Sequence, residues 1–245
     1  MLYNKIKFKH LLCFIATIMI VSCSSNNKDI YSSMDPKQIY NRGKLNIKKK
    51  NFPEAAKDFE ALEANYPYGD YTDKAKLSLI YSYYEKKDYP QLKLVAERFL
   101  KMNPNHVYAD YAQYMLGVAD YDQYYSTVYR VFNIDRSKRE SGLAISAFDA
   151  FKVLLENFPK SKYALDARHR MLHLRNQIAF NELHIAEYYL NRESYVAASN
   201  RAYSIVTNFS GTPAVSPALK IMAKAYNKLD MPEFELKVVN LTNNQ

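Results

Sequence analysis

Two short strings recur along this chain at one fixed interval, and that interval restricts the fold more than any other feature. Asn51-Phe52-Pro53 returns as Asp88-Tyr89-Pro90, and Asn65-Tyr66-Pro67 returns as Met102-Asn103-Pro104, both pairs 37 residues apart. A unit of that length holds two short helices and a turn. One such helical hairpin cannot bury its apolar side alone, so successive copies must stack into a solenoid.

The side chains within the first copy specify the kind of hairpin. With Gly43 at the eighth position of a 34-residue tetratricopeptide repeat, Phe52, Ala55, Phe59 and Pro67 fall at positions 17, 20, 24 and 32, the signature positions of that repeat. Gly43 and Ala55 are small enough to let the paired helices cross closely, and Phe59 fills the gap. Pro67 ends the second helix because it cannot donate the next helical hydrogen bond.

The pattern continues in worn form. The second unit, about Asp73 to Pro104, keeps Tyr83 and Tyr89 on its packing face and places Leu92 where the repeat has alanine. A third opens on Met115-Leu116-Gly117 and closes with Ala147, Phe151, Leu154 and Pro159; Ala147 follows Gly117 by 30 positions rather than the usual 12. The surplus, about Asp122 to Gly142, must project from the solenoid, as a functional loop or a tolerated insertion; it carries Tyr124, Tyr125, Arg130, Asp135, Arg136, Arg139 and Glu140. Asp135 and Arg136 read as a local ion pair. From Ala164 to Asn191 there is no proline or glycine, and apolar residues recur at helical spacing, which predicts one helix of about 28 residues. Tyr195, Ala198, Ala202 and Ile205 supply the partner helix of a fourth unit, stopped at Ser210-Gly211-Thr212-Pro213, and a fifth spans Pro217 to Leu241 with Met231-Pro232 at its corner. The expected fold is all-α, a solenoid of about five tetratricopeptide-type hairpins with an insertion in the third.

Ahead of the repeats lies a leader. Lys5, Lys7 and Lys9 precede a largely apolar run from Leu11 to Val21, too short as a helix to span a bilayer. The run ends Ile20-Val21-Ser22-Cys23, the pattern of a bacterial lipobox, which makes residues 1–22 a lipoprotein signal peptide and Cys23 the acylated first residue of the mature chain. The covalent N-acyl and S-diacylglycerol groups would hold the protein firmly to a membrane, and no cofactor is expected. Ser24, rather than an aspartate, follows the cysteine and favours the outer membrane over the inner. Residues 23–35 are polar and rich in serine and asparagine, as befits a flexible tether. The domain itself covers 36–241, with Cys13 lost in the leader and Cys23 capped, so no thiol remains for a disulfide, a metal or catalysis.

Charge and motif content argue against nucleic acid and against an enzyme. Removing the three leader lysines leaves 31 basic against 25 acidic residues, a net +6 with the signs interleaved and no run of five like charges. There is no phosphate-binding glycine loop, nucleophile elbow or CxxC. His169 and His173, four apart, could share a helix face as in a metal hydrolase, but the glutamate that follows the first histidine of a zincin is missing, and His184 lies about 16 Å beyond His173 along a helix. The first helices of the repeats carry a different signal. Positions 5, 9 and 12 should face the concave groove. They are occupied by Tyr40, Lys44 and Ile47, by Leu77, Tyr81 and Tyr84, and by Tyr114, Val118 and Tyr121, with Lys48, Lys74 and Tyr111 beside them. A tyrosine-lined trough with lysines at one end suits an extended peptide bearing aromatic side chains and a free carboxylate.

Taken together, the lipobox, five worn repeats, Asp135-Arg136 in the third, Ala186-Glu187-Tyr188-Tyr189 on the long helix and Ala197-Ala198-Ser199-Asn200-Arg201 closely resemble the BamD family of lipoproteins of the β-barrel assembly (BAM) machinery. The resemblance covers nearly the whole mature chain. It implies a lipid-anchored protein on the periplasmic face of the outer membrane. Repeats in 36–159 would receive the C-terminal signals of unfolded outer membrane proteins, and repeats in 164–241 would dock the last POTRA domain of BamA, beside any other BAM lipoproteins. By the same resemblance, Tyr40, Lys44, Lys48, Lys74, Leu77, Tyr81, Tyr84, Tyr111, Tyr114 and Tyr121 would hold the substrate signal, and Arg201 would form a salt bridge to BamA. The rival adaptor is another periplasmic lipoprotein on the same repeats, scaffolding cell-wall hydrolases or pilus assembly.

Overall fold

The computed structural model describes residues 30–125 and 141–243. Within them ten helices form five consecutive antiparallel hairpins, with no strand among the described residues. They are α1 (Pro36–Lys48) with α2 (Phe52–Asn65), α3 (Asp70–Glu85) with α4 (Tyr89–Met102), α5 (Ala109–Tyr124) with α6 (Gly142–Asn157), α7 (Ala164–Asn191) with α8 (Tyr195–Asn208), and α9 (Val215–Lys228) with α10 (Pro232–Asn243). Each helix packs chiefly on its neighbours in sequence, and α1 also touches α3, α3 touches α5, α5 touches α7 and α7 touches α9, so the odd-numbered helices line one side throughout the described residues.

Local chemistry sets the helix ends. Asp35 caps α1 through a reciprocal pair, its carboxylate accepting from Gln38 N at 2.8 Å while Asp35 N donates to the Gln38 side chain at 3.0 Å. Proline opens α1, α2 and α4, where a missing N–H removes no helical bond. The turns within four of the hairpins are built alike. Lys50, Lys87, Glu193 and Asp230 all sit near φ +60°, and a bond back to the residue five earlier closes each turn, as from Asn51 N to Asn46 O and from Asp88 N to Tyr83 O, both 2.9 Å.

Within each hairpin the two helices interlock by size. A Cβ placed on Gly43 would lie 2.6 Å from Phe59 Cζ, and one on Gly117 would lie 2.5 Å from Phe151 Cε1, so each glycine is a notch for the ring opposite. The second hairpin reverses the sizes: Ile80 and Ala96 occupy the equivalent positions, both fully buried. In the fourth, Ala186 faces the same task with Ala202. The total volume at the crossing is filled by different partners, which is why the second copy looks degenerate by sequence and still packs.

The apolar interior falls into two sections. One runs from Ile39 through the first three hairpins to Leu174 and Ile178, and the other from Ala179 to Val238, with Phe209 packed against both. The division of the core therefore lies inside α7. The first half of α7 packs on α6 and belongs to the N-terminal section, while its second half pairs with α8.

Three boundaries move. The last residues assigned to the tether are bound to the first hairpin: Tyr31 donates to the fully buried Asp58 at 3.0 Å, beside Asn46 at 2.7 Å and Arg42 at 3.2 Å, and Tyr66 OH donates to Met34 O at 2.9 Å. Asp122, Gln123 and Tyr124 continue helix α5, because Tyr124 is buried in the core rather than projecting with an insertion. The second and fifth units begin at Asp70 and Val215, earlier than the pattern of packing residues indicated. Cys23, Arg130, Asp135, Arg136, Arg139 and Glu140 lie outside the described residues.

Candidate functional site

The tyrosines expected on the odd-numbered helices succeed one another along that side of the solenoid in separate groups of contacting rings. Tyr40 of α1 meets Tyr71 of α3 with ring centroids 5.7 Å apart, and Tyr81 of α3 takes the edge of Phe52 at 6.0 Å. Further along, Tyr114 of α5 stacks on Tyr163, just ahead of α7, at 4.5 Å and 13° between planes, and Tyr111 meets the same ring at 5.9 Å. Tyr121 and Tyr125 lie 4.6 Å apart, and Tyr125 stacks on His173 at 5.2 Å. Leu77 is half-buried beside them, Lys44 and Lys48 are exposed on α1, and Lys74 holds its ammonium 5.5 Å from the Tyr71 ring. Val118 departs from the expectation. It is buried and contributes to the core rather than to an open surface.

What the hydroxyls do could not be read from the pattern. Tyr84 OH donates to Asp122 at 2.8 Å, joining α3 to α5, and Tyr114 OH donates to Asp166 at 2.6 Å, joining α5 to α7. Arg170 closes the set, with Nε 2.6 Å from Asp166, Nη1 3.6 Å from Asp122, and its guanidinium carbon 4.6 Å from the centre of the Tyr121 ring. Burial, then the bond to Asp122, pushes Tyr84 up to about 12. Burial likewise raises Tyr111 and Tyr114. At Asp166 burial works toward protonation, but the bonds from Tyr114 and Arg170 outweigh it and hold the carboxyl below its usual range. The aromatic row is thus locked from behind by carboxylates and one arginine. It offers ring faces and edges, with the ammonium groups of Lys44, Lys48 and Lys74 at its N-terminal end.

Tyr71, Asp122, Tyr163, Asp166 and Arg170 were not among the residues expected at the site. The signal was present in the four-residue spacing of Asp166 and Arg170 on α7, but it gains meaning only once the first half of α7 is known to pack across α5. His169 is exposed and His173 is engaged with Tyr125 and Tyr121, while His184 pairs with Glu187 at 3.1 Å. No group of three His, Cys, Asp or Glu among the described residues could hold a metal ion.

A second feature lies on the far side, where the offset of α8 along α7 leaves a cleft of about 420 Å³ beside α6. Ile145, Phe148, Ile178 and Phe209 form its apolar wall. Arg201 stands at its rim, 47% exposed, with Nη1 2.9 Å from Glu182 Oε2. No helix among the described residues is long and apolar enough to cross a membrane.

Comparison with known proteins places the chain among relatives. The family described as YfiO, outer membrane lipoprotein, matches residues 32–241. The outer membrane protein assembly factor BamD of Vibrio cholerae is 34% identical over 227 residues, covering 93% of this chain and 94% of that protein. Its counterparts in Pasteurella multocida and Neisseria gonorrhoeae are each 31% identical, covering 94% and 92% of this chain and 88% and 86% of theirs.

Proposed function

The chain belongs to the YfiO family of outer membrane lipoproteins, and on that premise we propose that it is a non-enzymatic adaptor of β-barrel assembly. It binds the C-terminal signals of unfolded outer membrane proteins along α1, α3 and α5 and couples them to BamA for folding and insertion. Its site of action is the outer membrane. The N-acyl and S-diacylglycerol groups on Cys23 fasten it there on the periplasmic face.

The observation that carries the reading is the aromatic row running from Tyr40 to Tyr121, with Lys44, Lys48 and Lys74 at one end. A barrel protein's last strand is extended, alternates apolar and polar residues, and ends in a carboxylate. Ring faces take the alternate apolar side chains, and an ammonium takes the terminal charge. Because the hydroxyls of Tyr84, Tyr114 and Tyr121 are already bonded within the protein, recognition there rests on the rings rather than on a particular polar side chain in the guest. That suits one receptor serving many clients, each held weakly enough to be released. Arg201, at the rim of the cleft between α6 and α8, is the contact to the POTRA domain.

Tyr81→Ala with Tyr84→Ala tests the groove. Affinity for a synthetic peptide with an aromatic C-terminal residue and free carboxylate should fall about tenfold or more, on the scale of one or two lost aromatic contacts. Unchanged affinity in a variant with intact far-ultraviolet circular dichroism removes the groove from the proposal.

A further inference from the structure

The two edges of the solenoid differ in kind. One edge is made by the turns inside each hairpin, and it presents Lys49, Lys50, Lys86, Lys87 and Arg192 to solvent. The other is made by the turns between hairpins, and it presents apolar and aromatic side chains: Tyr68 at 83% exposure, Val107 at 77%, Tyr108 at 51% and Leu165 at 64%. Tyr68, Val107 and Tyr108 lie in the first two of three successive turns and Leu165 in the first turn of the helix after the third; the three share one spacing, Pro67, Pro104 and Pro159 each lying eight residues before a buried alanine, Ala75, Ala112 or Ala167. Exposed apolar side chains are ordinary singly, and it is their alignment along one edge that marks an interaction surface. Lys160 and Lys162 stand in the third of these turns.

The chain reaches the fold at this same edge. Tyr66, at the first of the turns, donates to Met34 O at 2.9 Å, and Met34 N closes a tight turn on Tyr31 O at 3.1 Å, so residue 30 emerges beside it. Seven steps of chain separate Ile30 from Cys23, and even fully extended they reach about 25 Å.

We propose that the edge formed by Tyr68, Val107, Tyr108 and Leu165 rests in the interface of the lipid bilayer, as a second membrane contact beside the acyl chains. The inference depends on acylation of Cys23. Three considerations single out lipid as the occupant. The short tether keeps this edge at high effective concentration near the headgroups. Tyrosine, with an apolar ring and a polar tip, suits the boundary between headgroup and acyl chain. Lys160 and Lys162 supply attraction to anionic headgroups. Of the acids nearby, Asp35 caps α1, Asp110 accepts from Ser161, and Asp166 is held by Tyr114 and Arg170, while Asp70 is exposed. The consequence is orientation. The solenoid stands on this edge, its groove opens parallel to the membrane, and the lysine edge points away.

The chain has no tryptophan, so a single one reports its own surroundings. Full-length acylated protein carrying Tyr68→Trp, Tyr108→Trp or, on the opposite edge, Lys87→Trp is reconstituted into phosphatidylethanolamine–phosphatidylglycerol vesicles. For the first two, emission should move to shorter wavelength and acrylamide quenching should fall about twofold or more, as for a ring at the headgroup boundary. Lys87→Trp should keep its aqueous spectrum. Protein that carries the acyl mass and floats with the vesicles, yet shows unmoved emission from Tyr68→Trp and Tyr108→Trp, overturns the membrane contact and leaves the anchor standing. Protein without the acyl mass that stays in solution overturns the anchor and the contact together. A shift that needs added BAM subunits rather than lipid assigns the edge to a protein partner and also overturns the proposal.

Discussion

Replacing Gly117 by alanine tests the interlock on which the whole curvature depends. Two opposing quantities decide the outcome. In a solvent-facing helix the change would stabilise, since alanine exceeds glycine in helix propensity by about 1 kcal/mol. Here the new methyl would lie 2.5 Å from Phe151 Cε1, 2.6 Å from Cδ1 and 2.8 Å from Cζ. Phe151 is fully buried, so the ring cannot swing clear and the helices must separate. Overpacking of this kind costs about 1–3 kcal/mol, leaving a net loss of roughly 0–2 kcal/mol once propensity is subtracted. With a urea slope of about 2–3 kcal/mol per molar, a mid-range loss of about 1 kcal/mol lowers the unfolding midpoint by roughly 0.3–0.5 M. Phe151→Leu alone also destabilises by leaving a void, but added to Gly117→Ala it removes the clash. The double variant should therefore be more stable than the two separate losses would give, by about 1–2 kcal/mol. Far-ultraviolet circular dichroism through a urea series reads all four proteins. A raised midpoint for Gly117→Ala, or strictly additive losses in the double variant, would refute the interlock. The reversed pair in the second hairpin extends the test: Ala96→Phe should be tolerated only together with Ile80→Gly.

Two other outcomes follow from the electrostatics. Burial and then hydrogen bonds to Asp58 and Asp122 raise Tyr31 and Tyr84 from 10.0 to about 12. The fold thus favours their neutral forms, so this stabilisation is whole below pH 10 and is lost as pH rises through about 12. Thermal midpoints should fall across that window, with a smaller fall in Tyr84→Phe, and equal falls would disconnect Tyr84 from it. At the other site, Arg201→Glu should abolish co-purification with BamA, whereas Glu182→Gln, which breaks the same 2.9 Å internal pair without reversing charge at position 201, should not. Both changes touch an exposed ion pair and should move stability by under about 1 kcal/mol. A BamA complex that survives Arg201→Glu at raised salt excludes this contact.

Much of the architecture was legible because it is written locally and more than once. The proline corners at Pro53, Pro90 and Pro232, the glycine notches facing Phe59 and Phe151, and the unbroken helix from Ala164 to Asn191 all act within one hairpin or one helix. Each can be read from about 34 residues of sequence. The helix-A positions named most of the aromatic row, and failed at Val118, where the face turns into the core.

Only the stacked structure decided what those tyrosines do. Tyr84 and Asp122 are 38 residues apart and Tyr114 and Asp166 are 52 apart, so each bond joins different hairpins. Whether two such side chains meet depends on the rotation between one hairpin and the next, a small angle set by all the packing between them and encoded by no short pattern. The same rotation brings Arg170 across α5, divides the core inside α7, and collects Tyr68, Val107, Tyr108 and Leu165 along one edge. The sequence by itself determined the hairpins and the membrane to which they are tied. Tertiary structure decided which faces the hairpins share, because that depends on angles accumulated over more than one repeat.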